Sequence, residues 1–481
     1  MTTPKPLRIA FIHPDLGIGG AERLVVDAAI ALSRLGHAVT IYTSSHQPER
    51  AFAETTDGTI PVKLLGNRLF PRSFKNRFIT VCAILRQLHL SINLIISRLF
   101  SDTDAADIYF VDQLSASIPL LRYGTRTRLL FYCHFPDLLL SPSTSSPPKT
   151  TQAWLLSKLK LIYRIPLDWL EESTTANADT ILVNSQFTAE VFGRTMTSIT
   201  KQPKVVYPGV DVNIYDCPKA DQIDQQKTSV IHSDRPTILS INRFEQKKDI
   251  NLLLQAYIQL RKSDNTASNP TLAPRLVLAG GYDERLMDNR QTLKALQESV
   301  PNDLVQLTLS TEEIVERAER VPDVLFLLNV SQEHKLALLH ARSTKLLGYT
   351  ASNEHLGIGP LEAMACRLPV LAVDSGGPRE TVSHQRTGFL VPPDPETWAH
   401  SIRNILDMDD HQRRLIGDAG RERVQELFST DVMGKHFEHA IRDTLSPAHQ
   451  TDLWLEPGFL RLLAILVIPF LTIWIGTWTL M

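Results

Sequence analysis

The sequence predicts an α/β protein built from two Rossmann-like domains, joined by a polar linker and accompanied by membrane-associating segments. Three observations carry this. Short apolar, β-branched runs alternate with helical patterns, and the alternation occurs twice. A stretch poor in apolar residues, Asp211–Arg235, separates the halves. A 23-residue run at the end of the sequence, Phe459–Met481, carries one charge, Arg461.

In the first half the strand-like runs are Arg8–His13, Ala38–Thr43, Val62–Leu65, Asp107–Val111, Leu129–Cys133, Thr180–Val183 and Val205–Tyr207. In the second they are Thr237–Ile241, Leu276–Leu278, Val305–Leu309, Val324–Leu328, Leu346–Thr350, Val370–Val373 and Phe389–Val391. Helical patterns such as Ala21–Leu35 and Asp249–Arg261 lie between them, as parallel sheets require. The expected division is 1–215, a linker at 216–235, 236–445, and a membrane segment at 453–481. Ser141–Thr151 and Ser263–Pro274 read as surface loops.

With 481 residues the chain is too long for one core. A net charge of −2 with 21% charged residues gives no basic field, so no nucleic-acid partner is expected. Cys82, Cys133, Cys217 and Cys366 are isolated and read as reduced thiols facing the cytosol. The N-terminal apolar run ends at Pro14-Asp15, too early for a secretory signal. Phe459–Met481 is long enough to cross a bilayer, and Trp454, Trp474 and Trp478 suit its interfaces; Pro469 leaves a kinked or a hairpin insertion open. Phe78–Phe100 is a second apolar stretch at helical spacing, but Arg86, Gln87, His89 and Asn93 lie at its middle. Burying them in lipid is costly, so it reads as an interfacial helix or as one packed on its own domain.

Four turns follow predicted strands. Gly17-Ile18-Gly19-Gly20-Ala21-Glu22 opens a helix, where backbone amides can meet an anion. It is not a dinucleotide fingerprint, because Glu22 stands at the third glycine position and Thr43-Ser44-Ser45 ends the next strand. Asn242-Arg243-Phe244-Glu245-Gln246-Lys247-Lys248 places cations Arg243 and Lys248 where α/β sheets bind ligands. Asn353-Glu354-His355-Leu356-Gly357-Ile358-Gly359-Pro360-Leu361-Glu362 sets two carboxylates on either side of a glycine turn. Pro360 suits the start of a helix, with Glu362 in its first turn and Gly357, Ile358 and Gly359 presenting amides to a phosphate. The carboxylates then suit sugar or ribose hydroxyls. Ser375-Gly376-Gly377-Pro378-Arg379-Glu380 is a further turn on that edge, with Gly377 and Glu380 as added candidates.

His134, within Phe131–Asp137, ends a strand in the first half and can hydrogen-bond a substrate. Asp102-Thr103-Asp104 and Asp407-Met408-Asp409 read as solvated faces, and no metal site is expected. No GxSxG elbow appears.

Together these segments resemble the retaining glycosyltransferases of family 4, from about Arg8 to Phe437. The two glutamates separated by seven residues, the glycine loop, Arg243 with Lys248, and the Gly-Gly-Pro turn all match. More narrowly, Ile12-His13-Pro14-Asp15-Leu16-Gly17, Cys133-His134-Phe135-Pro136-Asp137 and Ser375–Pro378 resemble that family's dolichol-pathway mannosyltransferases. Arg367 departs from the pattern, standing where many members have glycine after the glutamate-bearing helix.

The resemblance implies a GT-B fold with two domains facing a cleft. It implies transfer of α-1,3 and α-1,6 mannose from GDP-mannose to a dolichol-diphosphate-linked oligosaccharide, on the cytosolic face of the endoplasmic reticulum membrane. Other dolichol-pathway transferases are implied partners, and no metal or cofactor is implied. Arg243 and Lys248 would hold the donor diphosphate, with Gly357, Ile358 and Gly359 near its phosphates. Glu354 would meet mannose hydroxyls and Glu362 the ribose. Gly19 and Gly20 would line the phosphate or acceptor side, and His134 would approach the sugar. A family 4 enzyme with another lipid or polysaccharide acceptor, or an inactive nucleotide-sugar-binding scaffold, is the alternative.

Overall fold

The computed structural model describes residues 5–66, 69–73, 79–100, 105–136, 164–216, 233–263, 273–310 and 322–447. The expected membrane segment at 453–481, most of the linker, the loop at 141–151 and Asp102–Asp104 lie outside the described residues. The chain divides into two compact units, Met1–Tyr207 with Met433–Met481, and Pro208–Val432.

Unit 1 holds β1 (Arg8–His13), β2 (Ala38–Thr43), β3 (Val62–Leu64), β4 (Ile108–Asp112), β5 (Arg128–Cys133), β6 (Thr180–Val183) and β7 (Lys204–Val205). They form one parallel sheet in the order β3-β2-β1-β4-β5-β6-β7. Its helices include α1 (Gly20–Arg34), α2 (Ile79–Phe100), α3 (Ile118–Thr125) and α4 (Gln186–Thr195). Strand order reverses between β1 and β4, so the strand ends there, His13 and Asp112, flank a topological switch point.

Unit 2 repeats the plan with β8 (Thr237–Ile241), β9 (Arg275–Gly280), β10 (Gln306–Ser310), β11 (Val324–Leu328), β12 (Thr344–Tyr349), β13 (Val370–Val373) and β14 (Gly388–Val391), ordered β10-β11-β9-β8-β12-β13-β14. Its helices are α5 (Ile250–Ser263), α6 (Met287–Ser299), α7 (Gln332–His340), α8 (Ile358–Ala365), α9 (Pro378–Thr381), α10 (Pro395–Asp407) and α11 (Asp410–Leu427). Here the order reverses between β8 and β12, the strands that lead into the Arg243–Lys248 and Glu354 segments. In both sheets the central strands are buried on both faces, which is why they read as continuous apolar runs.

Both domain limits differ from the sequence division. The first unit ends at Tyr207, not 215. Val210 pairs with Ser429, the Tyr215 hydroxyl reaches Glu362, and Asp216 pairs with Arg421, all in unit 2. At the other end, a final helix α12 (Thr430–Leu445) crosses into unit 1 at Met433. It buries Met433, Phe437, Ala440 and Ile441 in the core behind β1 and β4, with the Phe437 ring 5.2 Å from Phe110. An amphipathic period shows that a helix buries one face, but not which sheet receives it.

α2 packs on unit 1 through Cys82, Leu85, Arg86, Gln87, Leu90, Ser91 and Leu94. The Gln87 amide donates to the Leu114 carbonyl and Arg86 is buried too, so these two of the polar residues at its middle face protein. Ile92, Ile96, Leu99 and Phe100 remain exposed.

The Arg367 departure leaves the helix end intact. Arg367 takes the left-handed conformation, φ 59°, that glycine usually supplies after a helix. Its amide donates to Met364 and that of Leu368 to Ala363, closing α8 with the two reversed bonds of a glycine-type cap. Asp409 is the N-cap of α11, its carboxylate accepting from the Gln412 amide, so the Asp407–Asp409 pair serves helix ends.

Candidate active site

Glu354 lies in the loop after β12, and its carboxylate forms an ion pair with Lys248. Lys248 ends a short 3-10 turn, Gln246–Lys248, after β8; its carbonyl accepts from the Thr350 hydroxyl at 2.6 Å. The two segments that flank the switch point are thus tied by one ion pair and one hydrogen bond. Burial works against ionisation of Glu354, but the Lys248 ammonium outweighs it and holds the carboxyl below its ordinary value. Beneath them the buried Tyr349 phenol is pushed well above its usual range, by burial first and then by Glu354.

Gly357 sits above the same ring with φ 86°, where a side chain would be strained. It is the N-cap of α8, so the amides of Gly357, Ile358 and Gly359 head the helix without intrahelical acceptors. The helix starts at Ile358, two residues before Pro360, which occupies its third position, where a missing N–H is harmless. Glu362 therefore falls in the second turn, not the first. Its carboxylate accepts from the Tyr215 hydroxyl at 2.6 Å and pairs with Lys335 of α7 at 2.8 Å. The two glutamates thus have separate cationic partners, which argues against a proton-sharing dyad.

The Gly376-Gly377 turn braces this loop. The Gly377 amide donates to the Glu354 carbonyl at 2.8 Å, and a Cβ on Gly377 would lie 2.2 Å from the Leu356 Cα. The part played by Gly377 is close approach. Gly377→Ala is expected to displace the Glu354 loop and lower turnover about tenfold or more, read as a fall in kcat with the protein still folded by circular dichroism. Glu380 lies in α9, its carbonyl accepting from Arg423 at 2.7 Å. Arg243 is not joined to the Lys248–Glu354 pair: its guanidinium is exposed and pairs with Glu245 at 2.9 Å.

In unit 1, His134 follows β5 and its Nε2 lies 2.7 Å from the Asp112 carboxylate. The other Asp112 oxygen lies 2.9 Å from His13 Nδ1. Asp112 and the His13 side chain are completely buried. Burial opposes a charge on His13, yet Asp112, with Glu22 of α1 at 3.9 Å, raises its pKa to about 9. Asp112 is held below its ordinary value despite burial, through His134 and His13. Gly19 is the N-cap of α1; a Cβ on Gly20 would meet open space.

Sequence reasoning missed His13, Asp112, Tyr215, Lys335 and Tyr349. The strand-end rule that singled out His134 applies equally to His13 and Asp112. Nothing local marks Tyr215 or Lys335, which reach Glu362 from distant segments.

Two Rossmann-like units with charged side chains gathered at their switch points define a glycosyltransferase of the GT-B class. The sequence matches the family Glycosyl transferases group 1 over residues 221–423 and Glycosyltransferase Family 4 over residues 18–214. Alpha-1,3/1,6-mannosyltransferase ALG2 of Rhizomucor pusillus is 42% identical over 91% of this chain and 91% of its own length. The enzyme of that name from Homo sapiens is 40% identical over 90% of this chain and 94% of its own. The chain belongs to the alpha-1,3/1,6-mannosyltransferase family. In fold it is similar to sucrose-phosphate synthase from Thermosynechococcus elongatus, at 21% identity, a TM-score of 0.64, and coverage of 91% of this chain and 98% of that one. A glycosyltransferase from Rickettsia africae has the same TM-score at 17% identity, covering 92% of this chain and all of its own.

Proposed function

We propose that the protein moves mannose from GDP-mannose, with retention, onto Man1GlcNAc2-PP-dolichol and then Man2GlcNAc2-PP-dolichol, forming the α-1,3 and α-1,6 linkages of Man3GlcNAc2-PP-dolichol. The observation that carries the reading is the half-buried Lys248–Glu354 pair beside the head of α8, in a chain of this family. Lys248, Arg243 and the Gly357–Gly359 amides take the charge of the departing diphosphate. Glu354 accepts from mannose hydroxyls and Glu362 from the ribose, while His134 hydrogen-bonds the transferred sugar. Gly19 and Gly20 line the acceptor or phosphate side, and Glu380 borders the donor. No side chain is assigned as covalent nucleophile; the acceptor hydroxyl attacks the same face that the phosphate leaves, and that phosphate takes its proton. A trapped mannosyl-enzyme would overturn this route.

The exposed apolar stripe of α2 fits an endoplasmic reticulum surface, with the catalytic units on the cytosolic side and other dolichol-pathway transferases as neighbours. The test is incubation of purified protein with lipid-linked mono-mannosyl chitobiose and labelled GDP- or UDP-sugars, followed by linkage analysis. Both linkages are expected from GDP-mannose alone, and turnover is expected to persist in EDTA. Transfer only from a UDP-sugar, or none, contradicts the reading.

A further inference from the structure

At the opposite end of the unit 2 sheet from Glu354, a cavity of about 440 Å³ opens where β12 and β13 begin. The ends of α7 and α8 and the start of α11 surround it. Five cations line it, Arg342, Lys345, Arg367, Arg413 and Arg414, against one carboxylate, Asp410. Three of the five have work to do within the fold. Arg367 pairs with Asp418 at 2.9 Å. Arg413 pairs with Asp410 and donates to the last carbonyls of α10. Lys345 donates to the Arg342 carbonyl at 3.2 Å.

Arg342 and Arg414 are different: among the described residues neither guanidinium has a carboxylate within ion-pair distance. Arg414 makes one long bond, 3.3 Å, to the Asp410 carbonyl. The wall also holds the half-buried His340, whose imidazole is turned to the Tyr215 backbone. Like charges crowded round a cavity repel one another, and a bound anion relieves that repulsion.

We propose that this cavity binds a phosphate group, gripped by the Arg342 and Arg414 guanidiniums and distinct from the donor site. Arginine forks match phosphate oxygens bidentately. The group comes either from an acidic lipid headgroup or from a free soluble phosphate.

The test uses the full chain in detergent micelles, its thermal unfolding followed during titration with inorganic phosphate or dioctanoyl phosphatidic acid. Chloride at matched ionic strength and dioctanoyl phosphatidylcholine are the controls. A saturable rise in Tm is expected, and in Arg342→Ala/Arg414→Ala the affinity should fall about a hundredfold, at about tenfold for each guanidinium–phosphate bond removed. The unliganded Tm of the variant should be unchanged or higher, because neither residue holds an ion pair; Arg342→Gln/Arg414→Gln repeats the test with polar bulk retained. Phosphatidic acid acting where phosphate does not identifies the lipid source, and equal potency the soluble one. No saturable rise, or the same rise in both double variants, overturns the proposal; the latter assigns the effect to the Lys248 region.

Discussion

Lys248→Ala is expected to lower kcat/KM at least about a hundredfold, roughly 3 kcal/mol of transition-state stabilisation. The size follows from what surrounds the ammonium. Its side chain is 11% exposed, so its charge is little screened by solvent. It stands at the switch point, where the departing diphosphate gathers negative charge. Its loss also removes the partner of Glu354, whose carboxyl should then titrate higher and hold mannose hydroxyls less well. Arg243→Ala should cost less, because that guanidinium is mostly exposed and already paired with Glu245. Glu354→Gln should lower kcat while leaving the fold stable, and the double variant Lys248→Ala/Glu354→Gln should fall short of the summed losses, as coupled groups do. Steady-state rates with GDP-mannose and lipid-linked mono-mannosyl chitobiose read all four. Near-normal turnover in Lys248→Ala would remove that residue from the diphosphate.

The strands and the candidate donor site were legible because both rest on local chemistry. A buried parallel strand is a short apolar run whatever surrounds it, so the sequence reading placed every strand of both sheets within a few residues. The carboxylates and cations stood out because they follow such runs directly, where parallel sheets bind ligands. What stayed hidden depends on distance in sequence. Lys335 meets Glu362 across 27 residues and Tyr215 meets it across 147, and neither spacing has a pattern. The start of α8 is not fixed by Pro360, because proline suits any of the first helical positions, and only the φ of Gly357 marks the true cap. The membership of α12 was likewise invisible, since Phe437 and Ile441 satisfy any apolar sheet face of the right width.

Asp112→Asn tests the unit 1 cluster, and its effect should appear in both rate and stability. The wild-type carboxylate offers one oxygen to each of two imidazoles, His13 and His134. Asparagine has one acceptor oxygen, so it serves one ring as the carboxylate did and turns an N–H₂ toward the other. Whichever ring keeps its bond, the other reorients. If His134 touches the sugar, kcat should fall about a hundredfold, as positioned polar groups of this kind contribute. Stability supplies a readout that does not depend on that role. The pKa of His13 is raised from 6.5 to about 9, so the charged ring stabilises the fold fully below pH 6.5, and this contribution fades as pH climbs through about 9. At 1.36 kcal/mol per unit the stake is about 3 kcal/mol. Asp112, held low, acts in the opposite sense: its contribution is present above the ordinary carboxylate range and is lost only as pH falls below it. The wild-type unfolding midpoint should therefore drop between pH 6.5 and pH 9.5. In Asp112→Asn most of that drop should vanish, leaving a flatter and lower profile in which Glu22, 3.9 Å from His13, is the one carboxylate left beside the ring among the described residues. Parallel profiles for the two proteins would mean that Asp112 does not set the charge on His13, and the link between that buried pair and His134 would fail with it.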